Sequence, residues 1–186
     1  MYLNELSGKL IGGIDNRPDC ADQICALAQA IGPHKKLQDN LVKWVVNPDN
    51  LTFEWAVYTV IKTLIMQKCK NRLLETFCKK RLVDPISSDP IKGISAVYLN
   101  IKSKSETMRQ ITNTNSFFLQ RHFIIALSKV KPVELRKHKV AGKIIQDYTE
   151  HHTNLNKLSS RGDFEYIRGS ERLVQRVLIK ELNNYA

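Results

Sequence analysis

Apolar residues recur every three or four positions along nearly the whole chain, the period of helices that each bury one face. Leu3, Leu6, Leu10 and Ile14 predict a first short helix ending near Gly12-Gly13. Arg17-Pro18-Asp19 then opens a second, with Asp19 as its expected N-cap and Ile24, Leu27, Ala28 and Ile31 as its apolar face. Gly32-Pro33 is a stop, because Gly takes the left-handed end position and Pro bars continuation. A third helix is expected over about Lys35 to Val46, and Asn47-Pro48-Asp49-Asn50 is a turn.

The strongest pattern follows. Phe53, Val57, Val60, Ile61, Leu64, Ile65 and Cys69 trace a wide apolar stripe that Leu73, Leu74 and Phe77 extend. It predicts one long helix near 52–82 with Thr52 as N-cap, and Asn71 is the place where it would break. Asp84-Pro85-Ile86-Ser87-Ser88-Asp89-Pro90 cannot continue a helix and reads as a linker. Residues 94–101 fit a helix or a strand, and a lone strand without a partner is unstable, so helix is preferred. Ser103 to Asn115 is polar, with Met108 and Ile111 its large apolar residues. Ser116 to Lys131 restores a strong pattern through Phe117, Phe118, Phe123, Ile124, Ile125 and Leu127. Pro132 suits the first turn of a helix running to about His152, and a last helix is expected from about Ser170 to Asn184.

The fold class expected is therefore all-α, a bundle of about six to eight helices. Its parts would be 1–83, a linker at 84–93, and a basic part at 94–186, packed as one compact domain. A chain of 186 residues can bury enough surface to fold without disulfides or metals.

Charge changes the picture. The net charge is +11, and it is lopsided: residues 1–60 sum to −2, which leaves +13 for 61–186. A positive field of that kind attracts polyanions and speeds their association. Cysteine adds little. Cys20, Cys25, Cys69 and Cys78 have no zinc spacing, and Cys69 and Cys78 sit among apolar helical positions as small hydrophobes. The start of the chain lacks a signal-peptide pattern, so a reducing cytoplasmic location is expected. No apolar run reaches the length of a membrane span.

Catalytic motifs are missing. There is no Gly-rich phosphate loop, no H-E-x-x-H and no G-x-S-x-G. His151 and His152 are adjacent, and neighbours on a helix point about 100° apart, so both cannot serve one metal. His34, His122 and His138 stand alone. The expectation is a non-enzyme without cofactor or metal.

The basic residues are more suggestive. Arg168, Arg172, Arg176 and Lys180 repeat at four-residue spacing, one above another on a helix. Like charges at that spacing destabilise an isolated helix by roughly 0.2–0.5 kcal/mol per pair, so such a row invites a polyanion. Arg136, Lys139 and Lys143 share a face of the preceding helix, widened by Lys137 and His138. Lys68, Arg72 and Lys79 share one on the long helix, thickened by Lys70, Lys80 and Arg81. Each stripe alone is an ordinary solvated face. Three of them, opposite apolar sides such as Val174, Val177, Leu178 and Leu182, match what phosphate contacts require: cations at intervals on rigid elements.

In size, helicity and charge the chain resembles the small helical subunits of CRISPR effector complexes. That resemblance implies sequence-independent support of nucleic-acid strands by basic faces, beside other protein subunits and without cleavage chemistry. The alternative is a helical adaptor, or an assembly or secretion chaperone, whose basic face meets an acidic protein. Attachment to anionic membrane is disfavoured, because Trp44 and Trp55 lie away from the stripes.

Overall fold

The computed structural model describes residues 2–127 together with Val130 and Glu134. Every regular element among these residues is helical. The elements are α1 (Tyr2–Asn16), α2 (Ala21–Ile31), α3 (Lys35–Val46), α4 (Glu54–Met66), α5 (Arg72–Val83), α6 (Asp89–Leu99), α7 (Lys104–Ile111) and α8 (Phe117–Leu127), with 3-10 turns at 18–20, 48–52 and 100–103. They fall into two compact units, the first ending at Leu99 and the second beginning at Asn100.

The first unit is built around α4. This helix packs on α2, α3 and α6, which explains why it is apolar almost all round. Ala56, Val57, Val60, Ile61 and Leu64 are all buried, and a fully buried Val, Ile or Leu contributes roughly 1.5–3 kcal/mol. The buried Thr59, Thr63 and Gln67 add a polar seam along one edge of the helix. Thr59 donates to Asp22 Oδ1 at 2.8 Å, Gln29 Nε2 donates to Thr63 Oγ1 at 3.3 Å, and Gln67 Nε2 donates to the carbonyls of Ala28 at 2.8 Å and Gly32 at 3.3 Å. Residue numbers rise together on both sides of the seam, so α2 and α4 run parallel. Gln67 also satisfies orphan carbonyls at the end of α2.

Several expected boundaries shift, each for a local reason. α1 continues through Gly12 and Gly13 to Asn16, and a Cβ at Gly13 would lie 3.1 Å from Ile24 Cδ1. The glycine thus lets α1 and α2 approach closely rather than ending a helix. Residues 18–20 form a 3-10 turn, so the N-cap position of α2 falls to Cys20 instead of Asp19. Thr52 likewise belongs to a 3-10 turn, donating to the Asp49 carbonyl at 3.1 Å, and Phe53 holds the N-cap position of α4. α2 does end at Ile31, with Gly32 at φ +80°, and α3 spans the expected residues.

The long helix near 52–82 is divided into α4 and α5. The break is a Schellman motif: Cys69 N–H reaches the Leu64 carbonyl and Lys68 N–H the Ile65 carbonyl, each at 2.9 Å. Lys68 occupies the left-handed position, at φ +54°, where glycine is usual. Asn71 then caps α5, its Oδ1 accepting from Leu73 N at 2.9 Å and Leu74 N at 3.3 Å.

The linker expected at 84–93 is a tight turn followed by a helix. α6 begins at Asp89 and packs on α4 and α5. Its buried Ile91, Ile94, Ala96, Val97 and Leu99 belong to the first core. The boundary between units therefore lies after Leu99, not at 84–93. In the second unit α7 packs on α8, burying Met108, Ile111, Leu119, Phe123, Ile124 and Leu127.

None of the four cysteines is in a disulfide, and Cys69 and Cys78 are buried. Burial pushes the Cys25 thiol up to about 11 and the Cys78 thiol up to about 12, so neither is a ready nucleophile. Among the described residues no helix is long and apolar enough to cross a membrane.

Candidate nucleic-acid interface

Of the ten cations expected to hold a polyanion, Lys68, Arg72 and Lys79 are described. Arg136, Lys139, Lys143, Arg168, Arg172, Arg176 and Lys180 lie outside the described residues, as do Lys137 and His138.

The structure redraws the first stripe. Because the chain breaks at 67–71, Lys68 does not continue a helical face with Arg72; it sits on the corner between α4 and α5. Lys70 lies on the same corner, and Arg72 is the first residue of α5. All three are exposed and have no carboxylate partner among the described residues. The residues between them do the folding. Cys69 is buried against the core side of the corner, and Asn71 caps the helix. Tyr98 on α6 pins the corner from below: its hydroxyl accepts from Asn71 N at 3.2 Å and donates to Asn71 O at 3.3 Å.

This placement works against local stability. The left-handed backbone at Lys68 costs about 1 kcal/mol relative to glycine. Lys70 and Arg72 flank the N-terminus of α5, where the helix dipole is already positive and favours anions instead. Glu75, the acidic residue of the first turn, is engaged by Lys79 at 2.9 Å. Among the described residues, no carboxylate pairs with these three cations.

Lys79 and Arg81 are less available than the sequence suggested. Lys79 shares its charge with Glu75. Arg81 was expected to thicken the positive face, but its side chain is only 17% exposed. Its guanidinium donates to Asp84 Oδ2 at 3.0 Å and lies over the Phe77 ring, 5.4 Å from the centroid. Lys80 remains exposed and without an ion-pair partner among the described residues.

Two cations of the described part of the second unit are held differently. Lys104 pairs with Glu134, and Arg109 donates to both oxygens of Glu106, at 3.0 and 2.6 Å. These bonds hold the Glu106 carboxyl below its usual range. His122 is buried, its Nδ1 lies 2.8 Å from the Phe118 carbonyl, and its ring leans on that of Phe118. Burial lowers its pKa to about 4, so it is neutral inside the core. Phe118 therefore packs on this histidine.

Periodicity had no means of finding the corner. A lysine in a glycine position and an asparagine cap carry no apolar signal, and Asn71 was visible only as a possible break. Among the described residues no cluster of His, Cys, Asp or Glu could hold a metal ion. Comparison with family models, with curated proteins and with solved structures returns no match.

Proposed function

We propose that the chain is a non-catalytic subunit that follows a nucleic-acid backbone within a larger nucleoprotein assembly, in the manner of the small helical subunits of CRISPR effector complexes. The supporting observation is the α4–α5 corner. Lys68, Lys70 and Arg72 stand exposed on a segment held by a Schellman motif, an asparagine cap and the Tyr98 hydroxyl. Cations on a preorganised support suit phosphate oxygens, and nothing at the corner reads base edges. Arg72 adds a fork able to grip a phosphate in two places. The excess of cations toward the end of the chain supports the same reading through long-range attraction.

The test is fluorescence anisotropy with mixed-sequence single- and double-stranded RNA and DNA across a salt series. Affinity should fall linearly on a log–log plot, with little dependence on base composition. The triple variant Lys68→Glu, Lys70→Glu, Arg72→Glu should flatten that slope by about 2–3 while leaving the helical circular dichroism intact. An unchanged slope in the triple variant would remove the corner from the interface.

A further inference from the structure

The outward face of α5 carries more than charge. At about 100° per residue, Arg72, Leu73, Thr76, Lys79, Lys80 and Val83 fall in one arc of about 120°, opposite the buried Leu74, Cys78 and Leu82. Leu73 is 61% exposed and Val83 56%. Ile86, in the turn that follows, is 88% exposed.

That turn is not loose. The Asp84 carboxylate accepts from Arg81 at 3.0 Å, from Ile86 N at 3.1 Å and from Ser87 Oγ at 3.2 Å. Ser87 N closes the turn on the Asp84 carbonyl, and Pro85 restricts the backbone between them. Arg81 is in turn braced over Phe77. Ile86 is thus presented on a scaffold whose ordering is complete before any partner arrives, which lowers the entropy lost on binding.

We infer that the face running from Leu73 to Ile86 docks an acidic amphipathic helix of a neighbouring protein subunit. The charge of the face selects the partner: Lys79 and Lys80 lie on it with Arg72 at its end, and Glu75 is the sole acidic residue of the helix. The apolar residues select its kind. A phosphodiester backbone gains nothing from Leu73, Val83 and Ile86. A protein helix with leucine-like residues at i, i+3 or i+4, i+7 and i+11, flanked by Asp or Glu, buries all three and pairs with the lysines. Leu73 and Val83 are about 15 Å apart along the axis, the span of three helical turns on such a partner. Ile86 at the rigid end is the anchor, and the cations form the rim that steers approach. The inference rests on the assembly part of the proposed function and is independent of phosphate binding at the corner.

The experiment selects from a displayed library of helical peptides with fixed apolar positions and randomised flanks, using the full chain as bait. Enriched peptides should be net acidic. One of them, made with a fluorophore, should lose about tenfold or more in affinity to Ile86→Ala and to Lys80→Glu. A scrambled sequence of the same composition should bind neither form. In parallel arms, the same variants are titrated with a mixed-sequence oligonucleotide and with equimolar phosphatidylcholine–phosphatidylserine vesicles. Oligonucleotide affinity should be unchanged in Ile86→Ala and reduced in the Lys68, Lys70, Arg72 triple variant. The inference is overturned if no selected peptide depends on Ile86, or if Ile86→Ala weakens oligonucleotide or vesicle binding instead.

Discussion

The α4–α5 corner and the helix α7 make an instructive pair. Residues 1–99 hold 13 basic against 10 acidic residues, whereas 100–186 hold 16 against 8. By net charge the second stretch is the better anion binder. Yet on α7 the cations are committed: Lys104 to Glu134 and Arg109 to Glu106. At the corner Lys68, Lys70 and Arg72 face solvent without a carboxylate partner among the described residues. A field is set by total charge, but a contact is made by a charge that no neighbour has already claimed. Among the described residues, the cations of the corner are open and Lys104 and Arg109 of α7 are not.

The largest effect expected on this contrast is acid weakening of the second unit. His122 titrates near 6.5 when unfolded and near 4 when folded. Between those values the unfolded state binds more protons, so stability is full above about pH 6.5 and falls as pH drops towards 4. The loss is about 3 kcal/mol over that window, concentrated on α8. Both tryptophans, Trp44 and Trp55, lie in the first unit, so their fluorescence reports that unit alone. Protection factors of the α8 amides, referred to the intrinsic exchange rate at each pH, should fall on acidification while the tryptophan melt stays put. His122→Leu should remove the pH dependence at α8. A tryptophan transition that shifts in step would mean the two units unfold as one.

The next effect separates the regions by ligand. The Lys68→Glu, Lys70→Glu, Arg72→Glu variant should lose roughly tenfold to a hundredfold in oligonucleotide affinity at low salt. Lys104→Gln with Arg109→Gln should change it less than about twofold, because those charges are already paired. Equal losses from both variants would show that long-range field, not contact, governs binding.

Asn71→Ala tests whether the corner must be held in place. Removing the cap should cost about 1 kcal/mol of stability, read by urea denaturation followed through tryptophan fluorescence. Oligonucleotide affinity should also fall, although no cation has been touched. Affinity that survives the loss of the cap would mean the three side chains act without preorganisation.

The smallest effect is the most discriminating. Lys68→Gly should stabilise the chain by about 0.5–1 kcal/mol, because glycine accepts the left-handed backbone without penalty. The same change should weaken oligonucleotide binding by the worth of one phosphate contact. Stability and affinity moving in opposite directions is the mark of a residue kept for a ligand. If both are unchanged, Lys68 has no role beyond occupying a turn.

Much of the fold was legible because it follows from period and punctuation. The end of α2 at Gly32, the span of α3 and the helical state of 94–99 are local consequences of apolar spacing and of what Gly and Pro permit. The division of 52–82 was not legible as a helix boundary, because both flanks carry the same apolar stripe. Only the packing of α4 between α2, α3 and α6, with Gln67 reaching back to α2 and Tyr98 holding Asn71, determines that the chain turns there. The segment Asp84–Pro90 looked like a linker because composition reports only that a helix stops. The triple hydrogen bonding of Asp84 and the burial of Ile91 and Ile94 make it a turn inside one core.

By itself, then, the sequence determined that this chain is helical, where several helices end, and that it carries an excess of positive charge. Those properties are sums or near-neighbour effects, which a linear string contains in full. Which cations are spent on carboxylates, which isoleucine faces water and where one unit gives way to the next were decided by tertiary structure alone. Each depends on residues brought together from distant positions, and no window along the string holds both partners.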